Sequence, residues 1–188
     1  MKASRNSNWE IEIKLALEDA EDGRRRLRAA GFRVHKRRIF EENTLFDTPG
    51  LKLRKAQSLL RVRQAGESFK ITYKGKPAPS DLKSREELET GIESHETMAA
   101  ILERLGFQPA FRYQKYRTEF RHRPGGGMAT LDETPIGDYL ELEGSPGWIR
   151  RMARILGFSR QDYITASYGR LYLEWCKKRR IPPGDMVF

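Results

Sequence analysis

The stretch Glu10-Ile11-Glu12-Ile13-Lys14-Leu15 constrains the fold more than any other. In an extended chain neighbouring side chains point to opposite faces, so Glu10, Glu12 and Lys14 share one face while Ile11, Ile13 and Leu15 share the other. Charged and apolar residues are sorted without mixing. Two carboxylates beside an ammonium suit a wall that holds a divalent cation and an anion, with the apolar side packed elsewhere.

The same alternation recurs along the chain. Arg61 and Arg63 alternate with Leu60 and Val62, and Lys70, Thr72 and Lys74 alternate with Phe69, Ile71 and Tyr73; the short Ala65-Gly66-Glu67 connection makes these two a hairpin. Arg85, Glu87 and Glu89 share a face, as do Lys115, Arg117, Glu119 and Arg121, and as do Glu141 and Glu143. A half-buried sheet facing bulk water also alternates. Its polar face, however, usually mixes Thr, Ser, Gln and Lys, whereas here glutamates occupy the first and last strands and Arg and Lys the middle ones. A closed antiparallel barrel, an α+β fold with a charged interior and outer helices, brings these faces onto one cavity.

The connecting segments complete this reading. The patterns predict helices over 18–30, from a Ser94 cap to Leu105, over 148–156 and over 165–177, with extended segments at 34–40 and 43–47. Turns are expected at Thr48-Pro49-Gly50 and at Pro124-Gly125-Gly126-Gly127. Strand, helix, Gly-Phe and basic extended segment occur twice, with Gly-Phe again at 157–158, which points to two similar halves of one sheet. No linker divides the chain, so residues 1–180 read as a single domain and 181–188 as an irregular tail.

Thirty-six Lys and Arg against twenty-six Asp and Glu give a formal net charge of +10, which favours polyanionic partners. Cys176 is the only cysteine, which excludes an intrachain disulfide and a thiolate zinc site, and His35, His95 and His122 are scattered. No apolar run approaches the roughly 20 residues of a membrane span, and the expected setting is cytoplasmic. Tyr73, Tyr116 and Phe120 fall on the face opposite the cations, which disfavours stacking of nucleic-acid bases among them. Unpaired charges in a low-dielectric cavity are costly. Ion pairing among themselves would satisfy these residues; a metal-bound polyphosphate accounts better for their sorting, since carboxylates are hard ligands for Mg²⁺ or Mn²⁺ and Arg and Lys match phosphate oxygens.

An ordered set of motifs resembles the CYTH superfamily of triphosphate tunnel metalloenzymes. Glu10-x-Glu12-x-Lys14 is similar to its ExExK signature, Leu45-Phe46-Asp47-Thr48 to its YFDT stretch, Leu60-Arg61-Val62-Arg63 to its LRxR strand and Thr72-Tyr73-Lys74-Gly75 to its TxKG strand. Arg85-x-Glu87-x-Glu89, Lys115-x-Arg117, Asp132 with Gly137 and Glu141-x-Glu143, and Ser167-Tyr168 resemble the remaining signatures. The resemblance implies an eight-stranded antiparallel tunnel binding a triphosphate and one or two divalent cations, Mg²⁺ or Mn²⁺. It implies Glu141, Glu143 and Asp132 at one metal and Glu10 and Glu12 at a second, water-activating one. Lys14, Arg61, Arg63, Lys74, Arg85, Lys115 and Arg117 would grip the phosphates. Asp132 also has a rival role as a turn residue in Asp132-Glu133-Thr134-Pro135. The expected activity is metal-dependent hydrolysis of a triphosphate such as tripolyphosphate, ATP or thiamine triphosphate. Adenylate cyclase chemistry is the alternative within the fold, and a non-catalytic polyphosphate- or RNA-binding module the alternative outside it. The motifs specify no oligomeric state.

Overall fold

The computed structural model describes residues 9–123 and 125–188. Eight strands, β1 (Trp9–Ala16), β2 (Phe32–Asp47), β3 (Leu59–Ala65), β4 (Ser68–Lys74), β5 (Lys83–Ile92), β6 (Gln108–His122), β7 (Gly127–Thr134) and β8 (Gly137–Gly144), form a closed barrel in the order β1-β5-β4-β3-β2-β6-β7-β8. Every neighbouring pair, including β8 with β1, is antiparallel. Closure leaves no sheet edge. The inside-out alternation expected of the strands is what the barrel realises: Ile13, Leu15, Val62, Phe120, Leu131, Leu140 and Leu142 are buried on its outside under helices. Burial of each such side chain is worth about 1.5–3 kcal/mol.

The helices are α1 (Ala20–Ala29), α2 (Lys52–Lys55), α3 (His95–Arg104), α4 (Pro146–Ile155) and α5 (Tyr168–Arg179), with a short 3₁₀ turn at Arg160–Asp162. Asp19, Ser94, Ser145 and Ser167 cap α1, α3, α4 and α5, each side chain accepting from a backbone N–H of the first turn. α4 seals the larger core with Trp148, Ile149 and Met152, and α3 covers Val62 and Phe46 with Leu102. The recurrent Gly-Phe pairs are helix stops. Gly31, Gly106 and Gly157 adopt φ of 82°, 86° and 88°, and the N–H groups of Phe107 and Phe158 reach back to the carbonyls of Leu102 and Ala153 at 2.9 Å. This left-handed exit favours glycine and turns the chain sharply off the helix.

Three expectations are refined. The extended segments at 34–40 and 43–47 are one 16-residue strand, β2, whose pairing with β6 slips at Val34/Lys36, Lys36/Ile39 and Leu45/Phe46. α2 was not expected from the sequence: the Asp47 carboxylate accepts from the N–H groups of Thr48, Leu53 and Arg54 at 2.7, 2.9 and 2.9 Å and folds that turn around itself. Helix α5 starts three residues later than predicted, at its Ser167 cap. The tail from 181 carries no helix or strand, yet Met186 is buried and bridges Tyr113, and the Phe188 ring lies 5.3 Å from that of Tyr116. Of the turn predicted at 124–127, Pro124 lies outside the described residues.

Candidate active site

The barrel encloses a cavity of about 430 Å³. Eleven Lys and Arg side chains and seven glutamates line it, and among them are Glu10, Glu12, Lys14, Arg61, Arg63, Lys74, Arg85, Lys115, Arg117, Glu141 and Glu143. Of the candidate site residues only Asp132 is absent from the lining. Register explains the grouping: Glu10 pairs across with Arg85, Glu12 with Lys83 and Glu143, and Lys14 with Glu141. Residues opposite one another on neighbouring strands share a face, so β1, β5 and β8 build an acidic wall.

On that wall, and from β4 beside it, ammonium groups sit against the carboxylates. Lys14 Nζ lies 3.0 Å from Glu141 and 3.4 Å from Glu12, Lys83 Nζ donates to Glu12 at 2.7 Å, and Lys74 Nζ lies 2.6 Å from Glu10 and 2.7 Å from Glu87. Burial disfavours the charge on Glu12 and on Glu141. Lys14 with Lys83 overrides it at Glu12, and Lys14 with Arg117 at Glu141, so both carboxyls stay well below their usual range. Glu10 and Glu143 behave oppositely. Burial and then the neighbouring Glu12 push Glu10 up to about 7, and the same two causes raise Glu143. Burial also lowers Lys83, against the pull of Glu12, to about 8. The acidic wall is short of positive charge.

The opposite wall, from β3, β2, β6 and β7, reverses the pattern. Asp132 accepts from Lys115 at 2.8 Å, from Arg117 Nε at 2.7 Å and Arg117 Nη2 at 2.6 Å, and from the Tyr168 hydroxyl at 2.7 Å. Arg117 also bridges to Glu141 on the acidic wall. Glu41 lies 3.4 Å from Arg63 and 3.6 Å from Lys115, and although burial opposes its charge, Lys115, Arg117 and Arg63 bring its carboxyl down to about 2. Arg61 donates to the Tyr113 hydroxyl at 3.3 Å and to Thr72 at 3.2 Å. The Tyr168 ring lies 5.1 Å from both Lys14 and Lys115, which fixes α5 over this end of the cavity.

Asp132 therefore stands behind the cations rather than beside the carboxylates, with its oxygens turned to Lys115, Arg117 and Tyr168. Of the seven glutamates facing the cavity, Glu10, Glu12, Glu141 and Glu143 come from the adjacent strands β1 and β8, and their hard oxygen donors fit a divalent ion of the Mg²⁺ type. Their carboxylates are held apart by the lysines: among the described residues, no three acidic, histidine or cysteine side chains are grouped as ligands around one point. Ammonium groups occupy the positions of positive charge between them.

Sequence reasoning missed Lys83, Glu41 and the roles of Tyr113 and Tyr168. Lys83 has the parity of Arg85 and Glu87, a signal that could have found it. Tyr113 has the parity of Lys115 and Arg117, the same kind of signal. Glu41 falls in the gap between the extended segments expected at 34–40 and 43–47, although β2 runs through it and pairs it with Lys115.

The chain matches the CYTH domain over residues 8–168. It is 31% identical over 148 residues, 78% of this chain and 83% of the relative, to the Methanocaldococcus jannaschii protein named "Putative adenylate cyclase MJ0240". In structure it is similar to the PH1012 protein of Pyrococcus horikoshii, at TM-score 0.74 and 25% identity, covering 86% of this chain and 98% of that one. It is also similar to HpAC1 of Hippeastrum, described as a "putative adenylyl cyclase" with a dominant triphosphatase activity, at TM-score 0.67 and 21% identity over 88% of this chain and 95% of that one. With the barrel, the sorted walls and the match over most of its length, the chain belongs to the CYTH domain family.

Proposed function

We propose that the protein hydrolyses a triphosphate with the help of divalent metal, and that inorganic tripolyphosphate is its simplest substrate. The observation that carries this reading is the cavity's lining, in which cations outnumber carboxylates yet the carboxylates cluster on one wall. An anion with several charged oxygens satisfies the cationic wall, and a cation shared with it satisfies the acidic one.

Arg61, Arg63, Lys115 and Arg117 bind phosphate oxygens from one side, and Lys14, Lys74 and Arg85 from the other, spreading the charge that develops as the phosphoanhydride breaks. Asp132 and Tyr168 orient Lys115 and Arg117 before substrate arrives, so little reorganisation remains. Glu10, Glu12, Glu141 and Glu143 would hold the metal, with Mg²⁺ or Mn²⁺ the ions suited to them. When bound, such an ion neutralises phosphate oxygens and lowers the pKa of a water. The closed, charged wall keeps other bulk water from the reacting phosphate.

Phosphate release from tripolyphosphate with Mg²⁺ or Mn²⁺, run beside ATP and thiamine triphosphate, tests the proposal. Fast release from tripolyphosphate supports it, and metal-dependent binding without turnover of any of the three overturns it. The name of the 31% identical relative favours one second reading, cyclisation of ATP. Cyclic AMP measured in the same tubes decides between them, since hydrolysis leaves none.

A further inference from the structure

A second concave site lies on the outside of the barrel. Between α1 and the outer face of β2 and β6 is a cleft of about 380 Å³, lined by Arg24, Arg28, Phe32, Arg33, Val34, Thr118 and Phe120. It has the volume of a small-molecule site. It is back to back with the tunnel, because Thr118 and Phe120 point outward from β6 while Arg117, Glu119 and Arg121 line the inner cavity.

Two of the cleft's three charges are not used by the fold. On α1, Arg25 and Arg26 are tied to Asp22, and Arg26 also donates to the Leu156 carbonyl at 2.9 Å. Arg24 is bound to Glu133, which it shares with Arg38. Arg28 and Arg33 have no ion pair or side-chain hydrogen bond among the described residues, and both are exposed at the cleft's rim. The floor is apolar. Val34 is 56% exposed there, beside the buried rings of Phe32 and Phe120, and at the back the Thr118 hydroxyl is buried with no hydrogen-bond partner. An unpartnered buried hydroxyl, an open apolar floor and two unpaired guanidinium groups call for a guest that supplies an acceptor, a flat apolar surface and negative charge.

We infer that this cleft binds a phosphate monoester carrying a planar apolar group, the chemistry of a nucleoside monophosphate. The guanidinium groups of Arg28 and Arg33 take the phosphate, since their fork matches its oxygens two at a time. The planar group lies on Val34 and the edges of Phe32 and Phe120, where neither charge nor a free strand edge competes. The cleft is too small for a folded partner, and the flanking Arg24 is already neutralised by Glu133.

The test is titration of the full-length protein with phenyl phosphate by calorimetry, with inorganic phosphate and benzyl alcohol as the two halves of the probe. Phenyl phosphate should bind more tightly than either half. The R28A/R33A double variant should lose about tenfold in that affinity, the scale of a charge-assisted hydrogen bond, while tripolyphosphate binding stays as in the wild type. Val34→Glu, which places a carboxylate on the floor, should weaken phenyl phosphate to a similar extent. These residues are exposed, and an unchanged melting curve confirms that the variants fold. The inference is overturned if phenyl phosphate affinity changes by less than about twofold in both variants, because binding then belongs to the tunnel. It is overturned equally if an acidic peptide, and not phenyl phosphate, is what the two arginines retain.

Discussion

The two walls of the tunnel are mirror images in charge, and their difference separates structure from function. On the acidic wall the minority groups are the ammoniums of Lys14 and Lys83, and on the cationic wall they are the carboxylates of Asp132 and Glu41. These minority groups are buried, Asp132 being 0% exposed, Lys14 2%, Glu41 3% and Lys83 6%, and Lys115 of the cationic majority lies as deep at 2%. Other majority groups, such as Glu10 and Arg63, lie nearer the open cavity. A charge within the barrel wall must be paired to exist there at all. A charge that faces the cavity can wait for a ligand.

This difference predicts which substitutions unfold the protein and which only disarm it. The largest effect should come from Asp132→Ala. It removes the buried carboxylate that Lys115 and Arg117 share, leaving them only Glu41 and Glu141, and the loss should be about 3–5 kcal/mol of unfolding free energy by urea titration, the scale of breaking a buried pair from one side. A loss below about 1 kcal/mol would sink the claim that Asp132 organises the cationic wall. Next in size is Arg63→Ala. Its guanidinium contacts Glu41 and Glu89 only at 3.4 and 3.6 Å, so stability should move by less than about 1 kcal/mol. Turnover efficiency on tripolyphosphate should fall about 10- to 100-fold, because a charge-assisted contact to phosphate is lost. Equal effects of the two substitutions on stability would erase the distinction between minority and majority charges.

The walls also mark how far the sequence could be read. Glu10-x-Glu12-x-Lys14, Arg61-x-Arg63 and Glu141-x-Glu143 lie on uninterrupted strands, where a period of two assigns each side chain to a face with no further information. The closed barrel followed from their sorting. β2 resists the same treatment because its pattern divides into segments at 34–40 and 43–47, and Glu41, which pairs with Lys115 of β6, falls between them. Asp132 was legible as an inward carboxylate near the site, but its partners were not. They depend on the β6–β7 register that sets it opposite Arg117, and on α5 folding back to bring Tyr168 within 2.7 Å. Contacts between distant segments leave no periodic trace in either of them.

Within the acidic wall the comparison can be sharpened once more, between Glu12, clamped by two lysines, and Glu10, where Lys74 does not offset burial and Glu12. With metal removed by chelation, the Glu10 carboxyl titrates near 7 in the folded chain, against an ordinary value of 4.5. A raised carboxyl favours the folded state below pH 4.5, and that contribution is lost as pH rises toward 7. Glu12, Glu41 and Glu141 are depressed instead, so their contributions are lost only as pH falls below the usual carboxylate range. The metal-free protein should therefore lose stability as pH rises from 4.5 to 7, and Glu10→Gln should flatten that decline while leaving the acid limb in place. Unfolding free energies measured by urea titration across that window check it. A decline of the same slope in Glu10→Gln would mean that the surplus negative charge of this wall is not centred on Glu10. Divalent metal added to the wild type should flatten the same limb, because a cation held there favours the ionised carboxylates that the empty wall resists.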